Sequence, residues 1–170
     1  VDRYLVDPRT PELGVKIRGA LQLDLKIYRG SPGRLRVPVG GGPLEMWEKW
    51  TFPLGESSLE EDARGWVTLR KARRRRTFAL TGTSLAERPV GEAGVPGCTL
   101  ELSDVEVGAD TWWTLAFEAS GPPETLAHDL RTCAGMLLDS QLPEGITLPP
   151  RTSMSYTRWL GQRYGADGRS

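Results

Sequence analysis

Apolar and polar residues alternate with period two over several stretches of the chain. Leu21, Leu23, Leu25 and Ile27 interleave with Gln22, Asp24, Lys26 and Tyr28, the pattern of a half-buried strand. Val67 to Phe78 predicts a long strand carrying a cationic stripe, and Leu13 to Gly19 and Leu44 to Phe52 predict two more. Thr99 to Val107 and Trp112 to Ala119 are joined by Gly108-Ala109-Asp110, a connection short enough for a hairpin. Turn-rich pieces separate these runs at Gly30 to Gly33, Val39 to Pro43 and Ala93 to Gly97.

Helical spacing is confined to a few places. From about Pro123 to Asp139, Leu126, Leu130, Cys133 and Leu137 recur every three or four residues, one apolar stripe. Pro122 and Pro123 stand at its start, where a missing N–H costs little, and Pro143 follows its end. Ser57 or Ser58, followed by Glu60 and Glu61, predicts a short helix reaching about Arg64. Ser153 to Gln162 predicts a last helix that packs Tyr156 and Trp159. Many antiparallel strands with few helices predict an α+β fold, and a sheet with one polar face can curl until that face lines a tunnel.

The length of 170 residues suits one domain. Lys+Arg and Asp+Glu are both 22, so net charge is zero, which argues against bulk adhesion to nucleic acid or to an acidic membrane. A local basic site is not excluded by this. Cys98 and Cys133 are the two cysteines, too few for a disulfide framework, so a reducing cytoplasm is the expected compartment. No apolar run approaches the roughly 20 residues of a membrane span.

Charge is placed in phase. Lys16 and Arg18 share one strand face, as do Lys71, Arg73 and Arg75, with Arg70, Arg74 and Arg76 opposite; Lys26 keeps phase with Asp24 and Gln22. Converging ammonium and guanidinium groups suit phosphate oxygens. The run Arg73 to Arg76 splits its charges between two faces, which disfavours a nucleic-acid patch. Glu118 lies between apolar Phe117 and Ala119, and Glu101 is in phase with Ser103. Facing a cationic surface, either acid could hold Mg²⁺ or Mn²⁺. His128, the single histidine, makes a histidine relay or zinc cluster improbable. Gly40-Gly41-Gly42 lacks the Lys and Ser/Thr of a phosphate loop and reads as a hairpin turn. The six tryptophans read as packing residues rather than base-stacking platforms.

Asp2-Arg3-Tyr4-Leu5, then Leu13-Gly14-Val15-Lys16-Ile17-Arg18, then Leu25-Lys26 resembles the opening strands of CYTH-domain proteins, the triphosphate tunnel metalloenzymes. Lys71-Ala72-Arg73 is similar to that family's K-x-R strand. Leu100-Glu101-Leu102 and Leu115-Ala116-Phe117-Glu118 are similar to its closing acidic strands, and Ser153 to Leu160 to its terminal segment. The resemblance implies a single domain over 1–170, an eight-stranded antiparallel barrel with a few flanking helices. Its tunnel would bind a small-molecule triphosphate or polyphosphate on Lys16, Arg18, Lys26, Lys71, Arg73 and Arg75. Glu118, with Glu101, would hold Mg²⁺ or Mn²⁺. The family's N-terminal E-x-E-x-K strand has no counterpart after Val1, and its closing E-x-E stands here as Ala116-x-Glu118. Glu45 to Trp50 falls where the family carries R-x-E-x-E, with its phase undetermined. Two expectations follow: a divalent-metal-dependent triphosphatase, or a non-catalytic module binding a phosphorylated ligand or an acidic partner segment.

Overall fold

A computed structural model describes residues 1–19, 21–55, 65–81, 84–89, 96–139 and 143–165. Over these, the alternating stretches become strands: β1 (Asp2–Leu5), β2 (Leu13–Arg18), β3 (Gln22–Gly30), β4 (Arg34–Val37), β5 (Gly40–Pro43), β6 (Met46–Pro53), β7 (Trp66–Thr81), β8 (Ser84–Arg88), β9 (Gly97–Val107) and β10 (Asp110–Ser120). Two helices follow, α1 (Leu126–Leu137) and α2 (Tyr156–Tyr164), with a 3-10 turn at Pro150–Thr152 between them. The short helix expected between Ser57 and Arg64 lies outside the described residues.

Eight strands make one antiparallel sheet in the order β10-β9-β7-β1-β2-β3-β6, with β8 paired to the far end of β7. The expected closed barrel is not formed. β6 and β10 are the two edges of this sheet and share no ladder. A helix spans the space where a closing ladder would run. Tyr156 of α2 stacks on Tyr4 of β1 with ring centroids 6.0 Å apart, and its hydroxyl bonds Thr114 of β10 at 2.7 Å. Arg158 pairs with Glu45, just ahead of β6, at 3.5 Å. Thr157 lies so near β2 that a side chain on Gly14 would come within 2.9 Å of its Oγ1. Ser155 caps this helix by accepting a bond from the Arg158 N–H, satisfying one of the donors a helix start leaves free.

Each face of the curled sheet has its own core. On the concave face α2 covers Tyr4, Val6, Leu69, Val105 and Val107 with Leu160, flanked by Trp112, Tyr156, Trp159 and Tyr164. Leu69 and Leu160 are wholly buried, each worth roughly 1.5–3 kcal/mol. On the outer face α1 lays its stripe, with Cys133 wholly buried, against Phe78 and Cys98. The α1 start falls at Leu126 rather than Pro123 because Pro122 to Thr125 close a turn, Thr125 N–H to Pro122 carbonyl, at 3.1 Å.

The β4–β5 hairpin turns at Pro38-Val39, so Gly40 to Gly42 form a strand rather than the expected turn. Their glycines admit a close neighbour. A Cβ on Gly40 would collide with Leu148, and one on Gly42 with Ser153.

Candidate functional site

Residues paired across antiparallel strands project from the same face. The register places Asp2 beside Arg18, Tyr4 beside Lys16, Lys16 beside Asp24, Lys26 beside Lys49, Arg73 beside Ser103, and Arg75 beside Glu101. All of these lie on the concave face, with Tyr4 alone among them inside the core that α2 covers. Lys16, Lys26, Lys49 and Lys71 are the only lysines in a chain otherwise rich in arginine. Every lysine therefore faces the same concavity.

Two buried carboxylates organise the cations. Asp2 and Asp24 are 3% and 2% exposed. Asp2 lies 3.1 Å from Arg73, 3.7 Å from Lys16 and 3.9 Å from Arg18. Asp24 lies 3.2 Å from Lys49, 3.4 Å from Lys16 and 3.6 Å from Arg18. It also accepts bonds from Gln22 at 2.6 Å and Thr51 at 2.8 Å. Burial opposes ionisation of Asp24, but Gln22, Thr51 and Lys49 outweigh it and hold the carboxyl well below its usual range. Burial lowers the Lys16 ammonium, against the pull of Asp2 and Asp24. The cluster is incompletely paired, since Arg18 Nε and Asp24 Oδ2 are buried without a hydrogen bond. Four cations around two carboxylates leave a positive remainder.

Lys71 stands at the border between this cluster and the α2 core. Its Nζ lies 3.2 Å from the centre of the Tyr156 ring, 5.2 Å from that of Tyr4, and donates to the Tyr4 hydroxyl at 3.1 Å. Burial, with Lys16 and Arg73 close by, pulls its ammonium down to about 7, against Asp2 and Glu101. Burial likewise pushes the Tyr4 phenol far above its ordinary value, so that hydroxyl keeps its proton.

The six cations expected to bind phosphate all project from the concave face. Lys16, Arg18 and Arg73 meet in the cluster, Lys71 borders it, and Arg75 lies exposed two residues beyond Arg73. Lys26 is set apart, its Nζ 3.5 Å from Glu118 across from β10. Lys49 was not among the expected residues. Its signal is the alternation Trp47-Lys49-Thr51, whose phase is fixed by pairing β6 to Asp24 and Lys26. On the outer face Arg74 pairs with Asp104 at 3.5 Å and Arg76 with Glu87 at 2.7 Å, so the arginine run is divided as its periodicity predicts.

Glu101 and Glu118, the expected metal ligands, are diagonal neighbours: Glu101 faces Ala116 and Glu118 faces Thr99. Glu101 accepts from Ser103 at 2.9 Å, while Glu118 is paired to Lys26 and largely exposed. Among the described residues no three His, Cys, Asp or Glu side chains converge. Among the described residues this pair has a lysine on one carboxylate and no third carboxylate, histidine or cysteine beside it. Two surface depressions, of about 350 Å³ at Pro38, Val39 and 143–147, and about 250 Å³ between Pro8, Pro11 and α2, lie away from the cluster.

No helix of the described residues is long and apolar enough to cross a membrane. No family model, curated protein or solved structure matches the chain.

Proposed function

We propose that the concave face binds a compact polyanion, a triphosphate or polyphosphate, without turning it over. One observation carries this reading: Lys16, Arg18, Lys26, Lys49, Lys71, Arg73 and Arg75 share a face with Asp2, Asp24, Glu101 and Glu118, a local excess of cations in a chain of zero net charge. Phosphate oxygens can accept from the guanidinium forks and take the place of water on Lys16 and Lys49. The buried Arg18 Nε, which lacks an acceptor, gains one. Turnover on a metal is the poorer fit, because the two glutamates that would hold one are engaged with Lys26 and Ser103. The similarity to CYTH-domain proteins supports the same ligand class. The free thiols of Cys98 and Cys133 suit a reducing compartment such as the cytoplasm.

Calorimetry with tripolyphosphate at low salt tests this. Binding is expected without added metal, weakening with ionic strength. Arg73→Ala removes a charge-assisted contact worth about 1.5–3 kcal/mol, so affinity should fall about ten- to a hundredfold. Absence of binding, or an unaltered Arg73→Ala, would refute the reading. Phosphate release with Mg²⁺ or Mn²⁺ would restore the triphosphatase in its place.

A further inference from the structure

Lys71 does not resemble the other cations of the concave face. Lys16, Arg18, Lys49 and Arg73 each stand within 4 Å of a buried carboxylate. Lys71 is instead held between two tyrosines, on the face of Tyr156 and against the hydroxyl of Tyr4. Both rings are fixed from behind by the α2 core. Arg73 lies two residues along the same strand face, and Lys16 is over the Tyr4 ring at 5.6 Å. The result is a half-buried nitrogen between two aromatic rings, a proton-bearing phenol touching it, and anion-binding cations beside it.

From this juxtaposition we propose that Lys71 is the amine of a carbonyl-binding site, taking a small aldehyde that also carries a phosphate. The phosphate would rest on Arg73 and Lys16, and the aldehyde would meet Nζ. The proposal rests on the anion reading above for its phosphate half. In the reaction the nitrogen lone pair attacks the carbonyl carbon and a carbinolamine forms. A C=N bond then replaces the C–O bond, the oxygen leaves as water with both amine protons, and no electrons are exchanged. The Tyr4 hydroxyl, 3.1 Å from the nitrogen, keeps its own proton and is placed to hydrogen-bond the departing hydroxyl, which leaves with the proton the amine gives up. Burial gives Lys71 its free amine near neutral pH, about a thousandfold more of it than an ordinary lysine holds there.

The four lysines make the test clean. Folded protein at pH 7 is treated with pyridoxal 5′-phosphate, reduced with borohydride and mapped by peptide mass spectrometry. Lys71 should carry the adduct at least about tenfold faster than Lys16, Lys26 or Lys49. Tripolyphosphate should suppress it, and pyridoxal lacking the phosphate should label at least about tenfold more slowly. Lys71→Arg, which keeps the charge, should abolish the adduct, with circular dichroism recording that it folds. Adducts spread evenly over the lysines, or labelling by pyridoxal as fast as by its phosphate, would overturn the proposal. Tripolyphosphate binding in calorimetry without labelling of Lys71 overturns this site alone. Loss of both overturns the anion reading as well.

Discussion

Lys71→Met removes the amine from its niche while keeping an unbranched chain of similar length. Holding the ammonium near 7 instead of the ordinary 10.5 costs the folded state about 4–5 kcal/mol at pH 7 and below, at about 1.4 kcal/mol per tenfold loss of proton affinity. Against this stand the bond to the Tyr4 hydroxyl, about 1 kcal/mol, and the contact with the Tyr156 ring, about 1–2 kcal/mol. The variant should therefore be about 1–3 kcal/mol more stable at pH 7, a rise in Tm of a few degrees up to about 10 °C for a chain of this size. The sign with pH follows from proton counts. Between about 7 and 10.5 the unfolded chain holds the Lys71 proton and the folded chain does not, so wild-type stability climbs with pH. Lys71→Met lacks that climb, and its advantage should vanish toward pH 10. Urea unfolding of both proteins from pH 6 to 10 measures this. Parallel curves, or a variant more than about 1 kcal/mol less stable at pH 7, would refute the account of Lys71 as a costly buried amine. Such a cost is what a chemical or binding site carries and a scaffold discards.

Two further outcomes bear on the cluster and on the outer core. Asp24→Asn leaves Lys49, Lys16 and Arg18 without their shared counter-charge and should cost about 3–5 kcal/mol in urea unfolding, while tightening tripolyphosphate binding in calorimetry. Because Asp24 is held below its usual range, its contribution is complete above about pH 4 and lost as pH falls further; the variant should lack this part of the acid transition, and an unchanged acid limb would count against the pairing. Cys98 and Cys133 are wholly buried in one cluster, and the neighbouring thiol together with burial pushes the Cys98 thiol up. Both should react with Ellman's reagent at the rate at which the protein opens; rapid modification of either in the native protein would mean that the α1 face is not packed as described.

The strands were legible because each records its own burial in alternate residues. Leu23 and Leu25 fall on one face and Asp24 and Lys26 on the other, whatever lies beyond. The separation of Arg73 from Arg74 and Arg76 follows from the same rule. What alternation cannot carry is how two edges meet. The sheet stays open because Tyr156 and Arg158, more than a hundred residues beyond β2 and β6, fill the space between the edges by reaching Thr114 and Glu45. Lys49 is not legible in the sequence because β6 has charged or aromatic residues on both faces, and its phase is set by pairing with Asp24 rather than by its own sequence. The cation positions of the site were therefore readable, whereas its buried counter-ions were not. Nothing in the alternation marks Asp2 and Asp24 as buried before their partners are in place. The contact of Cys98 with Cys133 is a meeting of strand and helix that no local pattern announces.

The ladder between β1 and β7 has a consequence for how the molecule assembles. β1, β2, β3 and β6 join through neighbours close in sequence, and β7, β8, β9 and β10 do the same. The two groups are bonded to each other along four residue pairs, Asp2–Leu69 to Leu5–Trp66. Contacts this distant in sequence are slow to form, since the intervening chain must first be closed into a loop. By this argument the two halves are expected to behave as cooperative units, with the seam between them the last ladder to set. Asp2 meets Arg73 across that seam, and Tyr4 meets Lys71. An anion bridging the same groups would act as a clasp on the finished domain, binding the two halves at the line along which they would first part.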